Sequence, residues 1–327
     1  MENGTFVISL DFELYWGVRD VISLEKYKEN LAGVREFVPS LMALFEKYDI
    51  VATFATVGFL FYNNKAELLR ELPVLKPEYS NQNLSPYISH IASIGENETE
   101  DIYHYAPSLI NLILSYKHEI GTHTFSHYYC LEHGQSTKQF RDDLKAAKNV
   151  ADKRGIKLTS IIFPRHQFSE PYLKVCYEEG ILCYRGNQRS WIHKPVVNEE
   201  KAYFRRFFRM LDTYINILGH NTFTDSYMTR GILTDVPASR FLRPYSRNLR
   251  VLDKLRLRRI YSDMNFAAEK NQLYHLWWHP HNFGINLREN MEFLEEILKH
   301  FKTLNAKFGF ESLTMEQITT RLQKQKT

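Results

Sequence analysis

An α/β fold built on a parallel sheet, either open and doubly wound or closed into a barrel, is what the sequence predicts. Three observations carry this expectation. Strand-like and helix-like runs alternate about seven times along the 327 residues, no repeat of fixed period divides them, and ionisable side chains collect at the C-terminal ends of the strand-like runs. Parallel sheets wrapped by helices place their chemistry at those ends.

The elements follow in order. Phe6, Val7, Ile8 and Leu10 form an apolar run that suits a strand buried on both faces, and it ends in Asp11 and Glu13. Two carboxylates one residue apart at such an end cost desolvation free energy unless a cation, an arginine or a proton-transfer role compensates them. A helical pattern runs from about Leu24 to Tyr48, followed by the apolar "IVATFATVGFLF" and the polar "YNNKAELLRE". Residues 73–107 hold four prolines and the run "ENETED", which predicts a loop-rich insertion. Next come a short helix near Ser108 to Tyr116, a strand "HEIGTH", a helix from about Thr137 to Arg154 and a strand "LTSIIFP". Another helix precedes "GILCYRG", and a tyrosine- and phenylalanine-rich stretch over 195–230 predicts a second loop-rich insertion. The strands "RGILTDVP" and "QLYHLWWH", a helix from about Leu287 to Leu304, and a closing "FGFESLT" with its helix complete a single domain over 1–327.

Composition narrows the class. With 44% hydrophobic and 24% charged residues the chain reads as globular and not as disordered. Cys130, Cys176 and Cys183 form no C-x-x-C pair and leave an odd thiol, so neither a disulfide framework nor a cysteine zinc site is expected, and a reducing compartment is. The N-terminus lacks the charged start, apolar core and small-residue cleavage site of a signal peptide, which predicts a cytoplasmic protein. No stretch approaches the roughly 20 apolar residues of a membrane span. A net charge of +4 does not by itself indicate nucleic-acid binding, and none is expected.

The strand ends carry the functional signal. Asp11 and Glu13 close the first strand, His123 and His127 follow "HEIGT", Arg165 and His166 follow "LTSIIFP", and His279 and His281 follow "QLYHLWW". His123 and His127 stand in H-x-x-x-H, which puts two imidazoles on one side of a turn. Among thirteen histidines that spacing also arises between ordinary core or surface residues. Position at a strand end favours ligation, and the first-strand carboxylates supply a third ligand of the kind a hydrolytic metal site uses. No H-E-x-x-H is present, which removes the common zinc protease pattern.

In this order along the chain, "SLDFE", "HTFSH", "FPR" and "WHP" resemble the motifs of the polysaccharide deacetylases, carbohydrate esterase family 4 or the NodB-homology domain. "YDIVATFATVGF" is similar to that family's second strand. The resemblance implies a distorted (β/α) barrel of about seven parallel strands and spans residue 5 to about residue 325. It also implies roles. Asp11 is the expected general base, Glu13, His123 and His127 the expected ligands of a divalent ion, and His279 the expected general acid. Arg165 is the expected arginine that pairs with the base. The family commonly has aspartate where Glu13 stands, so Asp11 and Glu13 are also able to exchange roles. After Arg165 the expected proline and tyrosine are replaced by His166, Gln167 and Phe168. Thr124 fits the hydroxyl residue that braces the histidine loop, or is an ordinary turn hydroxyl. Trp191 in the faint fourth motif "YRGNQRSW" and His281 are expected beside the substrate, with core packing as the other reading of Trp191 and Trp277.

The implied activity is hydrolysis of an acetyl group, first of all N-acetyl, from a sugar of a glycan or glycan precursor. Zinc is the expected ion, with manganese, cobalt or nickel as alternatives. A lipid- or nucleotide-linked sugar of a surface polysaccharide suits a chain without an export signal. Two other readings stay open: hydrolysis of a cyclic amide of a non-sugar metabolite, and non-catalytic glycan or metal binding on the same scaffold. Finally, Arg243, Arg247, Arg250, Lys254 and Arg258 recur at three- and four-residue spacing after Pro244, with Leu242, Tyr245, Leu249 and Leu252 opposite. This predicts a basic amphipathic helix over 243–258, which either packs its leucines on the barrel and solvates its arginines or meets anionic lipid headgroups at the inner membrane face or a substrate's diphosphate.

Overall fold

A computed structural model describes residues 2–88, 90–188, 211–217 and 219–325. Nine short parallel strands form one sheet: β1 (Thr5–Phe12), β2 (Thr53–Thr56), β3 (Glu119–Thr122), β4 (Ser160–Ile161), β5 (Cys183–Tyr184), β6 (Thr234–Asp235), β7 (Arg240–Phe241), β8 (Leu273–Trp278) and β9 (Glu311–Ser312). Eight lie in the order β6-β5-β4-β3-β2-β1-β8-β7, and β9 joins the start of β1. Among the described residues no ladder joins β6 to β7, so the barrel is open there. β7 is the strand without a counterpart in the sequence reading: it is two residues long and leaves no periodicity to read.

The α-helices of six or more residues among the described residues are α1 (Leu24–Ala32), α2 (Val34–Lys47), α3 (Lys65–Arg70), α4 (Pro107–Ser115), α5 (Thr137–Asp152), α6 (Glu170–Glu178), α7 (Asp253–Glu269), α8 (Leu287–Phe308) and α9 (Met315–Lys324). In α2 the buried side chains Val34, Phe37, Val38, Leu41, Met42 and Phe45 fall on one stripe at three- and four-residue spacing. Leu294, Ile297, Leu298, Phe301 and Leu304 do the same in α8, and both stripes share a core with Phe6, Ile8, Leu10 and Leu276 of the sheet. The single helix expected over 24–48 is split at Gly33. A Cβ there would lie 1.8 Å from the carbonyl oxygen of Gly284, so the loop that follows β8 sits directly on the α1–α2 junction. That contact fixes the segment carrying His279 and His281.

Among the described residues, 73–107 hold only short turns and a four-residue helix before α4, and the first part of the 195–230 stretch lies outside the described residues. The basic segment departs from expectation. No helix starts at Pro244: the Tyr245 amide donates to Asn290 Oδ1 of α8 at 2.6 Å, the chain stays extended through Ser246, a 3-10 turn covers 247–252, and α7 begins only at Asp253. No helix is long and apolar enough to cross a membrane among the described residues.

His118, between α4 and β3, gives the fold a pH response of its own. Its ring packs against Phe45 and Phe54, its Nδ1 accepts the Ala52 amide at 3.2 Å, and burial pushes its pKa down to about 4. Below its ordinary value near 6.5 the unfolded chain binds a proton that the folded chain refuses, so stability falls from about pH 6.5 down to about pH 4. His118→Asn keeps an acceptor for Ala52 and removes the titration. Urea unfolding at pH 6.5 and 4.5 is expected to show a loss on acidification that is smaller in the variant by roughly 2 kcal/mol. An equal loss in both proteins would contradict this role.

Candidate metal and catalytic site

The register of the sheet aligns the strand ends. Asp11 lies opposite Ala55, Ala55 opposite Gly121, and Thr122 opposite Ile161, which brings the residues just beyond β1, β3 and β4 to one rim. Beyond β1 the chain turns sharply, with Leu14 in the left-handed region at φ 45°. This turn folds Glu13 inward over Gly17. A Cβ at Gly17 would lie 1.9 Å from Glu13 Cδ, so the glycine provides the room that the extra methylene of glutamate needs.

Beyond β3, Thr124 and His127 are also in the left-handed region, at φ 65° and 58°. The loop is braced from both sides. Thr124 Oγ1 accepts the Tyr128 amide at 2.7 Å, and buried Asp143 of α5 accepts the amides of Phe125 at 2.7 Å and Ser126 at 3.2 Å together with the Ser126 hydroxyl. The result is convergence: Glu13 Oε2 is 3.1 Å from His123 Nε2 and 3.0 Å from His127 Nε2. The three ligand atoms lie within 4.8 Å of one another, and all three residues are buried.

The protonation pattern tests whether this cluster fits a cation. His123 Nδ1 is 2.8 Å from the Ile162 carbonyl oxygen, which only accepts, so the ring proton sits on Nδ1 and the Nε2 lone pair of a neutral His123 faces a carboxylate oxygen. Acceptor against acceptor in a buried site requires either an extra proton or a cation between them. Two imidazoles and a carboxylate are the donor set of zinc and related divalent ions, and the Nδ1–H to carbonyl bond of His123 is the usual support for such a ligand. His127 is held differently. Its Nδ1 faces Arg19 Nη1 at 3.5 Å, and Arg19 itself is anchored on the carbonyls of Trp16 and Leu84. Ligation through Nε2 turns a proton toward that guanidinium, which makes His127 the weaker imidazole of the pair.

Asp11 is paired with Arg185. The two make a buried bidentate contact, Nη1 to Oδ1 at 2.6 Å and Nη2 to Oδ2 at 2.7 Å, and the guanidinium lies 4.1 Å over the Trp277 ring. Behind it, Arg185 Nη1 also donates to Ser9 Oγ at 3.0 Å, and Ser9 Oγ is 2.7 Å from His275 Nε2. His279 Nε2 stands 3.6 Å from both Asp11 Oδ2 and Glu13 Oε1. Its side chain is 24% exposed while those of Asp11, Glu13, His123, His127 and Arg185 are at most 5%, so the approach to the cluster runs past His279.

Burial acts to raise both carboxyls. At Asp11 the Arg185 guanidinium, with His123 and His279, outweighs burial and holds the group well below the usual carboxylate range. At Glu13, His279 together with the bonds from His123 and His127 does the same. Burial takes His127 down to about 4 and His281 down to about 3, against the pull of Glu13.

Thus Asp11, Glu13, His123, His127 and His279 come together. His281 is buried behind them, its Nε2 3.9 Å from Glu13 Oε1 and its ring 5.1 Å from that of His279. Arg165, the arginine expected beside the base, does not reach Asp11. It sits in a left-handed turn at φ 54°, which aims it outward to Asp20, to Glu132 at 3.5 Å and onto the Tyr129 ring at 4.2 Å. Arg185 takes the place assigned to it. Trp277 supports Arg185, and Trp191 lies outside the described residues.

Comparison with known proteins adds a likeness over part of the chain. A family model described as polysaccharide deacetylase matches residues 32–182. No curated protein matches the chain. Among solved structures, one named as a polysaccharide deacetylase of Mycobacterium smegmatis has a TM-score of 0.60 at 14% identity, covering 99% of this chain and 92% of that one. A second so named, from Pseudomonas aeruginosa PAO1, has a TM-score of 0.51 at 12% identity, covering 97% and 89%. A Puue allantoinase has a TM-score of 0.50 at 11% identity, covering 97% and 88%. At these identities the likeness shows the fold, a parallel-stranded (β/α) barrel of the deacetylase type, and nothing about substrate.

Proposed function

From a chain whose residues 32–182 match the polysaccharide deacetylase family, we propose a metal-dependent deacetylase that hydrolyses an N-acetyl group on a sugar of a glycan or glycan precursor. The observation that carries this reading is the placement of His279 Nε2, 3.6 Å from the arginine-paired Asp11 and 3.6 Å from Glu13 of the imidazole cluster. Glu13, His123 and His127 would hold the ion, with zinc favoured by the donor set and manganese, cobalt or nickel as alternatives. When bound, a divalent ion supplies Lewis acidity, lowering the pKa of a water and polarising the acyl carbonyl.

The remaining work falls to this chain's own side chains. Asp11, fixed in its plane by Arg185, takes the proton that water loses as its oxygen adds to the acetyl carbon. His279, at the open side of the cluster, gives a proton to the departing nitrogen as the C–N bond breaks. Acetate and a free amino sugar result. Asp11 is then left with a proton and His279 without one, and their separation of 3.6 Å suits its return. A carboxyl held well below its usual range gives that proton up readily, which restores both groups for the next turnover. Burial of the cluster on every side but that of His279 keeps bulk water from competing.

We place the reaction in the cytoplasm, a reading that three buried free cysteines support. The test is product analysis on acetylated oligosaccharides and on a cyclic amide, with acetate and free amine measured together. Acetate and amine released in equal amounts are expected. Ring opening of the cyclic amide with no acetate from any acetylated sugar would replace this reading with the cyclic-amide one.

A further inference from the structure

The connection from β7 to α7 carries a second surface, at the same end of the sheet as the site. Phe241 of β7 packs against Trp277 and His279 at centroid distances of 4.8 and 5.9 Å. Since α7 returns the chain to the start of β8, residues 242–252 and the first turns of α7 lie at the C-terminal end of the strands. Here the chain sorts its arginines. Arg256 and Arg259 turn inward and pair with acids, Arg256 with Asp253 at 3.1 Å and Arg259 with Asp263. Arg243, Arg247, Arg250, Lys254 and Arg258 are exposed, and among the described residues none of them stands within ion-pair distance of a carboxylate.

The apolar residues between these cations also face outward. Leu249 is 41% exposed, Val251 79% and Leu255 42%, and the turn over 247–252 buries no residue at all. A basic face that is merely solvated keeps its leucines against the core. This one presents three large apolar side chains to water within a segment whose five exposed cations have no ion-pair partner among the described residues.

We propose that this patch is a docking surface for an anionic lipid bilayer, with Val251, Leu249 and Leu255 entering the interface and the five cations meeting lipid headgroups. Charge complementarity and the apolar centre together single out this partner. A nucleic acid or an acidic protein loop would recruit the cations and leave Val251 in water. Docking through this connection turns the His279 rim toward the membrane. On the deacetylase reading, that selects a sugar carried on a lipid as the substrate class.

Co-sedimentation tests the surface without turnover, so its outcome is independent of the catalytic reading. Vesicles of phosphatidylcholine alone and with phosphatidylglycerol serve as probes. The wild type is expected to pellet with the anionic vesicles, more weakly as salt rises, and not with the neutral ones. Arg243→Gln, Arg247→Gln, Arg250→Gln and Lys254→Gln combined are expected to weaken binding by roughly 10³-fold at low salt. Val251→Ser with Leu255→Ser should lower it less, by a factor that persists at high salt. Unchanged thermal unfolding confirms that the variants fold, as substitutions at exposed positions allow. The inference is overturned if the wild type ignores anionic vesicles or binds neutral ones equally. It is also overturned if the charge variant binds as well as wild type, if the serine variant loses nothing, or if duplex DNA binds tighter than the vesicles.

Discussion

Asp11→Asn is expected to retain the bound ion while kcat for acetate release falls by roughly 10²- to 10⁴-fold, with KM little changed. The amide preserves the shape of the carboxylate but accepts no proton from water. It also leaves the buried Arg185 without its counter-charge, at a cost of roughly 3–5 kcal/mol in stability, so unfolding must be followed alongside kinetics. Arg185→Met should lower kcat in the same way, because the base loses the group that fixes its plane and holds it ionised. Arg165→Gln should leave kcat close to wild type, since Arg165 meets Asp20 and Glu132 instead. Steady-state acetate release with elemental analysis of each variant decides the matter. If Asp11→Asn loses the ion while Glu13→Gln keeps it, the two carboxylates have exchanged roles.

The contrast between the two arginines shows what the sequence made legible. The structure gathers at one rim residues that follow the longer strands: Asp11 and Glu13 at the end of an eight-residue strand, His123 and His127 after a four-residue one, His279 after a six-residue one. Arg185 follows a strand of two residues, too short to show a period, and the resemblance drew attention to "FPR" instead. The signal was present, since "GILCYRG" is an apolar run ending in a cation. Arg165 follows a strand of the same length but is turned outward by a left-handed backbone that no side-chain pattern announces.

Support from a distance was not legible at all. Asp143 braces the histidine loop from the middle of α5, where it reads as an ordinary charged helix residue, and Arg19 reaches His127 from a turn 108 positions away. Such partners are set by packing and not by local spacing. The basic segment failed for a related reason: its three- and four-residue spacing is real, but the Tyr245 amide is drawn to Asn290 and the carbonyls of Arg243 and Pro244 are taken by Arg256, so these groups are bonded elsewhere where the pattern calls for a first helical turn. What remains is a turn over 247–252 with Val251 79% exposed, in place of the start of the helix the pattern described.

The measurement that bears most directly on the central claim is metal content by elemental analysis, set against acetate release, in the wild type and in Glu13→Gln, His123→Ala and His127→Ala. The three side chains converge within 4.8 Å, and removing any one leaves two ligands. Affinity for the ion should fall by at least roughly a hundredfold in each, more for His123, whose Nδ1–H is seated on the Ile162 carbonyl, than for His127 beside Arg19. The account predicts about one divalent ion per wild-type chain, loss of acetate release on chelation, recovery on adding the ion back, and neither ion nor turnover in the variants. Full metal occupancy in all three variants, or undiminished acetate release from a metal-free wild type, would contradict it.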